Sequence, residues 1–368
     1  MPPAGQIVAL DVAPVRAQPA GVGLYAARLA RALAEAGAEI ALIGLRPDAS
    51  ALAGLPLGIP QRPFRLRTYH AWMQGAAEGQ ARSVGASLAH FTNAAAPLLA
   101  RLPYVVTVHD LSVARLPGTH PRLRWPIVGL NLAAIARARA IIVPSRFSAR
   151  ELGRLGVAER RVCVIPHAPT IARPAPGTAS SLELHGTIVA GQYILFVGTI
   201  EPRKNIERLV AAFEQLGAAR PELRLVLAGA PGWRFLPIER RINASPLRER
   251  ILRLGYVAED ELLPLIANSA AVAYVSLYEG FGMPVLDALA AGAPVVTSRR
   301  TAMPEAGLGA AILVDPDSVE DIRRGLEEAL LRRPELVALG LERAAARHWE
   351  DVAREHQSVY RFASGRSG

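Results

Sequence analysis

The sequence is nearly without cysteine and nearly without lysine. Cys163 is the only cysteine in 368 residues, which excludes an internal disulfide framework and fits a reducing compartment. Aromatic residues make up 5% of the chain and are not interleaved with basic ones, so a stacking surface for nucleic acid is not expected. No run reaches the ~18 apolar residues that a membrane span needs. The opening MPPAGQIVALDVAP has no basic leader ahead of its apolar run, which reads as a strand and not as a signal peptide. No His/Cys cluster occurs, and the DPD at 315–317 reads as a strand-exit turn, so no metal site is expected. Together these absences lead to the expectation of a soluble, cytoplasmic protein.

What is abundant is arginine. Of 42 basic residues only Lys204 is a lysine. An ammonium is a compact point charge where a guanidinium is a planar fork, so the one position with an ammonium stands out before any motif is considered. The positive charge is uneven. Residues 1–178 hold 20 arginines against 8 acids, a balance of +12, and the remainder balances to −2. A basic N-terminal half suits an anionic partner such as a membrane surface, a lipid phosphate or nucleic acid, which makes a basic non-enzymatic nucleic-acid-binding protein the alternative of another class, or is simply a solvated arginine-rich face.

Half of the chain is hydrophobic, 51% by count, and the length suits two domains of about 100–200 residues each. Short apolar runs alternate with amphipathic stretches: IVALDVA (7–13), IALIGL (40–45), LAHFT (88–92), VVTVHD (105–110), AIIVPS (140–145) and VCVIPHA (162–168). Near-continuous hydrophobic strands of this kind belong to parallel sheets covered on both faces. The stretch 166–181 is rich in Pro, Ala, Ser and Gly and reads as an interdomain linker. The alternation then restarts with YILFVG (193–198), LRLVLAG (223–229), ILRLGY (251–256), AVAYVSL (271–277), PVVTS (294–298) and AAILVDP (310–316). The pattern predicts an α/β chain of two Rossmann-like domains, 1–170 and 180–347, with an amphipathic helix and tail at 348–368. Ligands of such sheets bind beyond the carboxyl ends of the strands.

Four loops after strands carry candidate chemistry. Gly21 and Gly23 precede a helix and let backbone N–H groups approach a phosphate, or form an ordinary turn. His109 ends the VVTVHD strand, as a hydrogen-bonding group toward a ligand or as a structural cap. In FVGTIEPRKNIERLV, Arg203 and Lys204 stand just before a helix expected to start near Asn205. Two cations beside a helix N-terminus suit a diphosphate. In SLYEGFGMPVLDALAAGAPVVTS, Glu279 lies in a loop with Gly280 and Gly282, and Asp287 follows eight residues later in a helix beginning near Met283. Two acids there suit hydroxyl groups of a ligand, a hydrolytic carboxylate pair, or a helix start that favours acids.

The ordered motifs GTIEPRKN, LAGAPGW, LGYV, SLYEGFGMPVLDALAAGAPVV and MPEAGLGAAILVDP resemble the family-4 retaining glycosyltransferases of the GT-B fold. GVGLYAARLARAL, VVTVHDL and SRFSARELGRLGV extend the match upstream over nearly the whole chain. The resemblance is to bacterial mannosyltransferases that build O-antigen and other surface polysaccharides.

That resemblance implies two Rossmann-like domains facing each other across a cleft, with the C-terminal helix crossing back to the N-terminal domain. It implies that Arg203 and Lys204 clasp the donor diphosphate and that Glu279 contacts the transferred sugar. Asp287 stands where the family usually has a glutamate on the ribose, and is one methylene shorter. Gly282, Met283 and Pro284 present the helix start to sugar and phosphate. His109 lies near the sugar, Gly21 and Gly23 line the phosphate and acceptor side, and Glu305 supports the site. The family needs no metal and no cofactor beyond its donor, here GDP-mannose first, with UDP-glucose, UDP-N-acetylglucosamine and dTDP-rhamnose as alternatives. The implied acceptor is a glycan or lipid-linked glycan at the inner membrane face. Phosphorylases share the fold but need a pyridoxal-binding lysine deep in the C-terminal domain, whereas Lys204 stands at the phosphate loop.

Overall fold

The apolar runs form strands because β-branched and aliphatic residues pack well on both faces of a pleated sheet. The computed structural model describes residues 7–16, 21–45, 52, 55, 68–115, 125–171, 181–184 and 186–365. The chain divides into two units, one of residues 1–117, 122–168 and 348–368, the other of 118–121 and 169–347.

In the first unit, β1 (Val8–Asp11), β2 (Ile40–Ile43), β3 (Leu88–Phe91), β4 (Tyr104–Thr107), β5 (Ala140–Val143) and β6 (Val162–Val164) form one parallel sheet in the order β2-β1-β3-β4-β5-β6. Every residue of β1 to β5 is buried, while β6 at the edge is not. The Val22–Glu35 helix turns Tyr25, Leu29 and Leu33 inward and ends at Gly37, whose φ of 69° is the left-handed value that glycine accepts at a helix stop.

The amphipathic stretch at the C-terminus is the Trp349–Ala363 helix, which packs on the Val22–Glu35 helix of this first unit. A buried chain of neutral groups fastens it. His356 Nδ1 lies 2.7 Å from the Val352 carbonyl, which can only accept, so Nδ1 carries the proton. With the His356 ring neutral, Nε2 accepts from the Tyr25 hydroxyl at 2.9 Å. Tyr25 has one proton, so its oxygen accepts from Thr107 at 3.0 Å. The Thr107 oxygen then accepts from His90 Nε2 at 2.8 Å, and His90 Nδ1 accepts from the Tyr360 hydroxyl at 2.7 Å. In this direction every link is made with both imidazoles neutral. Burial, joined by the nearby His356 and His109, holds the His90 pKa well below its ordinary value.

In the second unit, the antiparallel hairpin β7 (Ser181–Leu184) and β8 (Thr187–Ala190) comes first. The main sheet follows: β9 (Tyr193–Val197), β10 (Arg224–Ala228), β11 (Ile251–Gly255), β12 (Ala271–Tyr274), β13 (Val295–Ser298) and β14 (Ile312–Val314). All of its pairs are parallel, in the order β11-β10-β9-β12-β13-β14. The order reverses direction between β9 and β12, and ligands of such sheets bind beyond the carboxyl ends of the strands at that point.

The stretch 166–181, read as the interdomain linker, contains the division between the two units, which falls between Ala168 and Pro169, and its last residue, Ser181, opens a strand. Residues 172–180 lie outside the described residues. The hairpin at 181–190 had no counterpart in the sequence reading.

Candidate active site

The loops leaving β9 and β12 meet at the direction change of the second sheet. After β9 the chain makes a single 3-10 turn, Pro202–Lys204, and Asn205 then takes the left-handed conformation with φ 62° before the Ile206–Ala218 helix. Asparagine tolerates that conformation better than most residues. Its side chain also ties the loop down: Nδ2 donates to the carbonyls of Val275 at 3.1 Å and Pro316 at 2.7 Å. Leu277 N–H donates to the Arg203 carbonyl at 2.9 Å, which joins the two loops directly.

This stitching brings Arg203, Lys204 and Glu279 together. The Lys204 ammonium donates to Glu279 Oε1 at 2.6 Å, and Arg203 Nη1 donates to Glu279 Oε2 at 2.6 Å. Arg203 is held further by the Tyr278 carbonyl at 2.8 Å and by Glu201 Oε1, 3.0 Å from Nε. Lys204 also donates to the Tyr274 hydroxyl, which in turn donates to Glu279 Oε1 at 3.1 Å. Lys204, Glu279 and Glu201 are all buried. Burial pushes the Glu279 carboxyl upward, but Lys204 and Arg203 outweigh it and hold its pKa down to about 2. Burial draws Lys204 below its ordinary value, opposed by Glu279, and the pair is ionised at neutral pH. Glu201 is raised by burial against the pull of Arg203.

The other expected positions of this unit surround the Met283–Ala290 helix. Gly282 is its N-cap with φ 117°, a backbone conformation that strains any residue with a Cβ, which here would also displace the end of Met303. Met283 and Pro284 form the half-buried first turn, and Pro284 supplies no N–H. Asp287 is buried, and its carboxylate accepts from Thr170 twice, from the backbone N–H at 2.6 Å and from the hydroxyl at 2.7 Å. Glu305 lies half-buried in the short Met303–Ala306 helix. Among the described residues no group of three or more His, Cys, Asp or Glu gathers as metal ligands do.

His109, Gly21 and Gly23 belong to the first unit, at the carboxyl edge of its sheet. His109 Nε2 donates to the Thr92 carbonyl at 2.9 Å, leaving Nδ1 as the acceptor. Burial lowers its pKa, so the ring is neutral. Its edge meets the Tyr25 ring at 4.8 Å. Gly21 is exposed and caps the Val22–Glu35 helix with φ 51°, whereas Gly23 is buried inside the first turn, where a Cβ would meet the Pro14 carbonyl at 2.7 Å.

The comparisons with known proteins agree with this architecture. The family model described as Glycosyltransferase Family 4 matches residues 19–171, and the one described as Glycosyl transferases group 1 matches residues 187–344. The chain is 31% identical over 273 residues to the O-antigen chain mannosyltransferase B of Escherichia coli, covering 70% of each. The chain is a family-4 glycosyltransferase. Its fold is GT-B. The sucrose-phosphate synthase of Thermosynechococcus elongatus superposes on this glycosyltransferase with a TM-score of 0.76 at 19% identity, over 97% of this chain and 98% of that one. Anabaena HepE, solved with UDP and glucose, does so with a TM-score of 0.71 at 17% identity, over 98% and 99%.

Two residues of the cluster escaped the sequence reading, Tyr274 and Glu201. Tyr274 sits inside a run read as buried strand. Glu201 had a readable signal, an acid two residues before the paired cations. Thr170 was hidden in the stretch read as linker.

Proposed function

We propose that this enzyme transfers a hexosyl group, mannose from GDP-mannose first, to a glycan or lipid-linked acceptor in surface polysaccharide synthesis. Transfer proceeds with retention of configuration and without a divalent metal. The observation that carries the reading is the Arg203–Glu279–Lys204 cluster, with Lys204 and Glu279 buried, at the direction change of a parallel sheet, where Nζ and Nη1 are each 2.6 Å from the carboxylate. Support for mannose and O-antigen comes from the named Escherichia coli relative.

The chemistry follows from charge. When the anomeric C–O bond to the diphosphate breaks, its electron pair stays on the departing phosphate oxygen. Lys204 and Arg203 stabilise that charge as it develops, where it matters most for rate. The acceptor hydroxyl attacks from the same face, and its proton passes to the departing phosphate. Glu279 binds a hydroxyl of the transferred sugar. Gly282, Met283 and Pro284 form the helix start beside it. Asp287, held by the Thr170 backbone N–H and hydroxyl, is assigned to a ribose hydroxyl. His109, Gly21 and Gly23 are assigned to sugar and acceptor binding by the first unit. The +12 balance of residues 1–178 supports peripheral contact with an anionic membrane face.

A donor screen by nucleotide release tests the reading, with GDP-mannose set against UDP-glucose, UDP-N-acetylglucosamine and dTDP-rhamnose. GDP-mannose is expected to be turned over fastest. Lys204→Ala and Glu279→Ala are each expected to lower transfer about 10²–10³-fold. Near-normal rates in both variants would remove the assignment.

A further inference from the structure

We propose that Tyr274 is a positioning residue for transfer, orienting the Lys204 ammonium so that one N–H remains for the donor diphosphate. This rests on the diphosphate reading of the site given above.

An ammonium has three N–H donors and no preferred plane, so an isolated lysine aims at a phosphate only by chance of rotation. Here two of the three are committed, one to Glu279 Oε1 at 2.6 Å and one to the Tyr274 hydroxyl. The Tyr274 proton is fixed as well, because the hydroxyl donates to Glu279 Oε1 at 3.1 Å. Lysine, tyrosine and carboxylate thus form a closed triangle in which each side holds the other two. Its rigidity comes from the fold. Tyr274 is 2% exposed at the end of β12, and its ring stacks on Phe196 of β9, with centroids 5.9 Å apart and planes 9° from parallel. The ring is therefore braced across the two strands whose outgoing loops carry Lys204 and Glu279. Thr297 donates to the Tyr274 carbonyl at 2.8 Å, which fixes the backbone from β13.

The hydroxyl does not supply charge. Burial and the neighbouring Glu279 keep the Tyr274 pKa far above the ordinary tyrosine value, so it stays protonated through the working range. Its contribution is direction. A carboxylate alone would hold the lysine by one bond about which the ammonium can swing, whereas two acceptors on a stacked frame leave the third N–H one direction.

Tyr274→Phe keeps the ring and removes only the oxygen. Because a hydrogen bond to a charged group is worth about 1.5–3 kcal/mol, the expected result is a kcat about 10-fold or more below wild type. The KM for donor should change less than about 3-fold, since most donor contacts lie elsewhere. The decisive readout is a cycle with Lys204→Ala. If Tyr274 acts through the lysine, Tyr274→Phe has no further effect on transfer in the Lys204→Ala background. The unfolding temperature of each variant is measured alongside, since a purely structural tyrosine lowers it and multiplies its effect on rate in both backgrounds. Wild-type kcat in Tyr274→Phe, or multiplicative losses in the double variant, overturns the inference while the diphosphate reading stands. A wild-type protein that turns over no nucleotide sugar overturns that reading and the inference with it.

Discussion

In the first unit Tyr25, Thr107, His90, Tyr360 and His356 are buried as neutral groups, each proton given in one direction along a chain that reaches the C-terminal helix. In the second unit Lys204 and Glu279 are buried as ions beside the partly buried Arg203, joined by Glu201 and Tyr274. Both arrangements satisfy polar atoms away from water, yet they leave different capacities. The neutral chain spends its donors and acceptors on itself and fastens a helix. The ionic cluster keeps an N–H on Lys204 and concentrates charge at the carboxyl edge of a sheet, where a phosphate can use it. Buried ions cost more to hold than buried hydrogen bonds, and the proposed diphosphate site is what would require them here.

That contrast can be broken most sharply at Glu279. Glu279→Ala leaves the buried Lys204 and the partly buried Arg203 without their shared carboxylate, and a stability loss of about 3–5 kcal/mol is expected in denaturant titration. A loss below about 1 kcal/mol would mean that the cluster is not held as ions.

Acid separates the two regions next. The Glu279 carboxyl is held at about 2 against an ordinary 4.5, so the stability it contributes is present above pH 4.5 and is lost as pH falls toward 2. The amount is about 3 kcal/mol by linkage, partly offset by Glu201, which shifts the other way. His90 is a base with a lowered pKa. Its contribution is present above about pH 6.5 and is lost as pH falls below that, with His109 adding to it. Asp11, pushed up to about 7 by burial, takes its proton in the folded state first and opposes one of the histidines. Hydrogen-exchange protection followed by residue, corrected for the pH dependence of the intrinsic exchange rate, should therefore fall in β3, β4 and the Trp349–Ala363 helix as pH drops below 6.5, while β9 and β12 hold until below pH 4.5. Asp11→Asn should steepen the first loss. The opposite order of loosening would contradict the contrast.

The smallest effect is expected at the far end of the neutral chain. Tyr360→Phe removes the donor to His90 Nδ1 and should cost about 1–3 kcal/mol, with transfer by the folded enzyme unchanged within about 2-fold. A large loss of transfer at unchanged stability would give the neutral chain a chemical role.

What could be read in advance follows the same division. Both sheets were legible, because doubly covered strands must be continuous apolar runs. Lys204 was legible because arginine fills every other basic position, and Glu279 because it follows a strand in a glycine loop. Tyr274 was not. A tyrosine in AVAYVSL looks like any strand aromatic, and only the fold shows that its hydroxyl reaches two ions. The neutral chain joins residues up to 331 positions apart, Tyr25 and His356, which no local pattern marks. The hairpin at 181–190 was missed because its two strands of four residues follow a Pro- and Ala-rich stretch that resembles a linker.

Equilibrium binding of GDP and of GMP, to wild type and to Lys204→Ala, tests most directly whether the ionic cluster receives the donor's diphosphate. The account predicts that wild type binds GDP at least about 10-fold more tightly than GMP, and that Lys204→Ala removes most of that difference while leaving GMP affinity unchanged. An undiminished preference for GDP in the Lys204→Ala protein would contradict it.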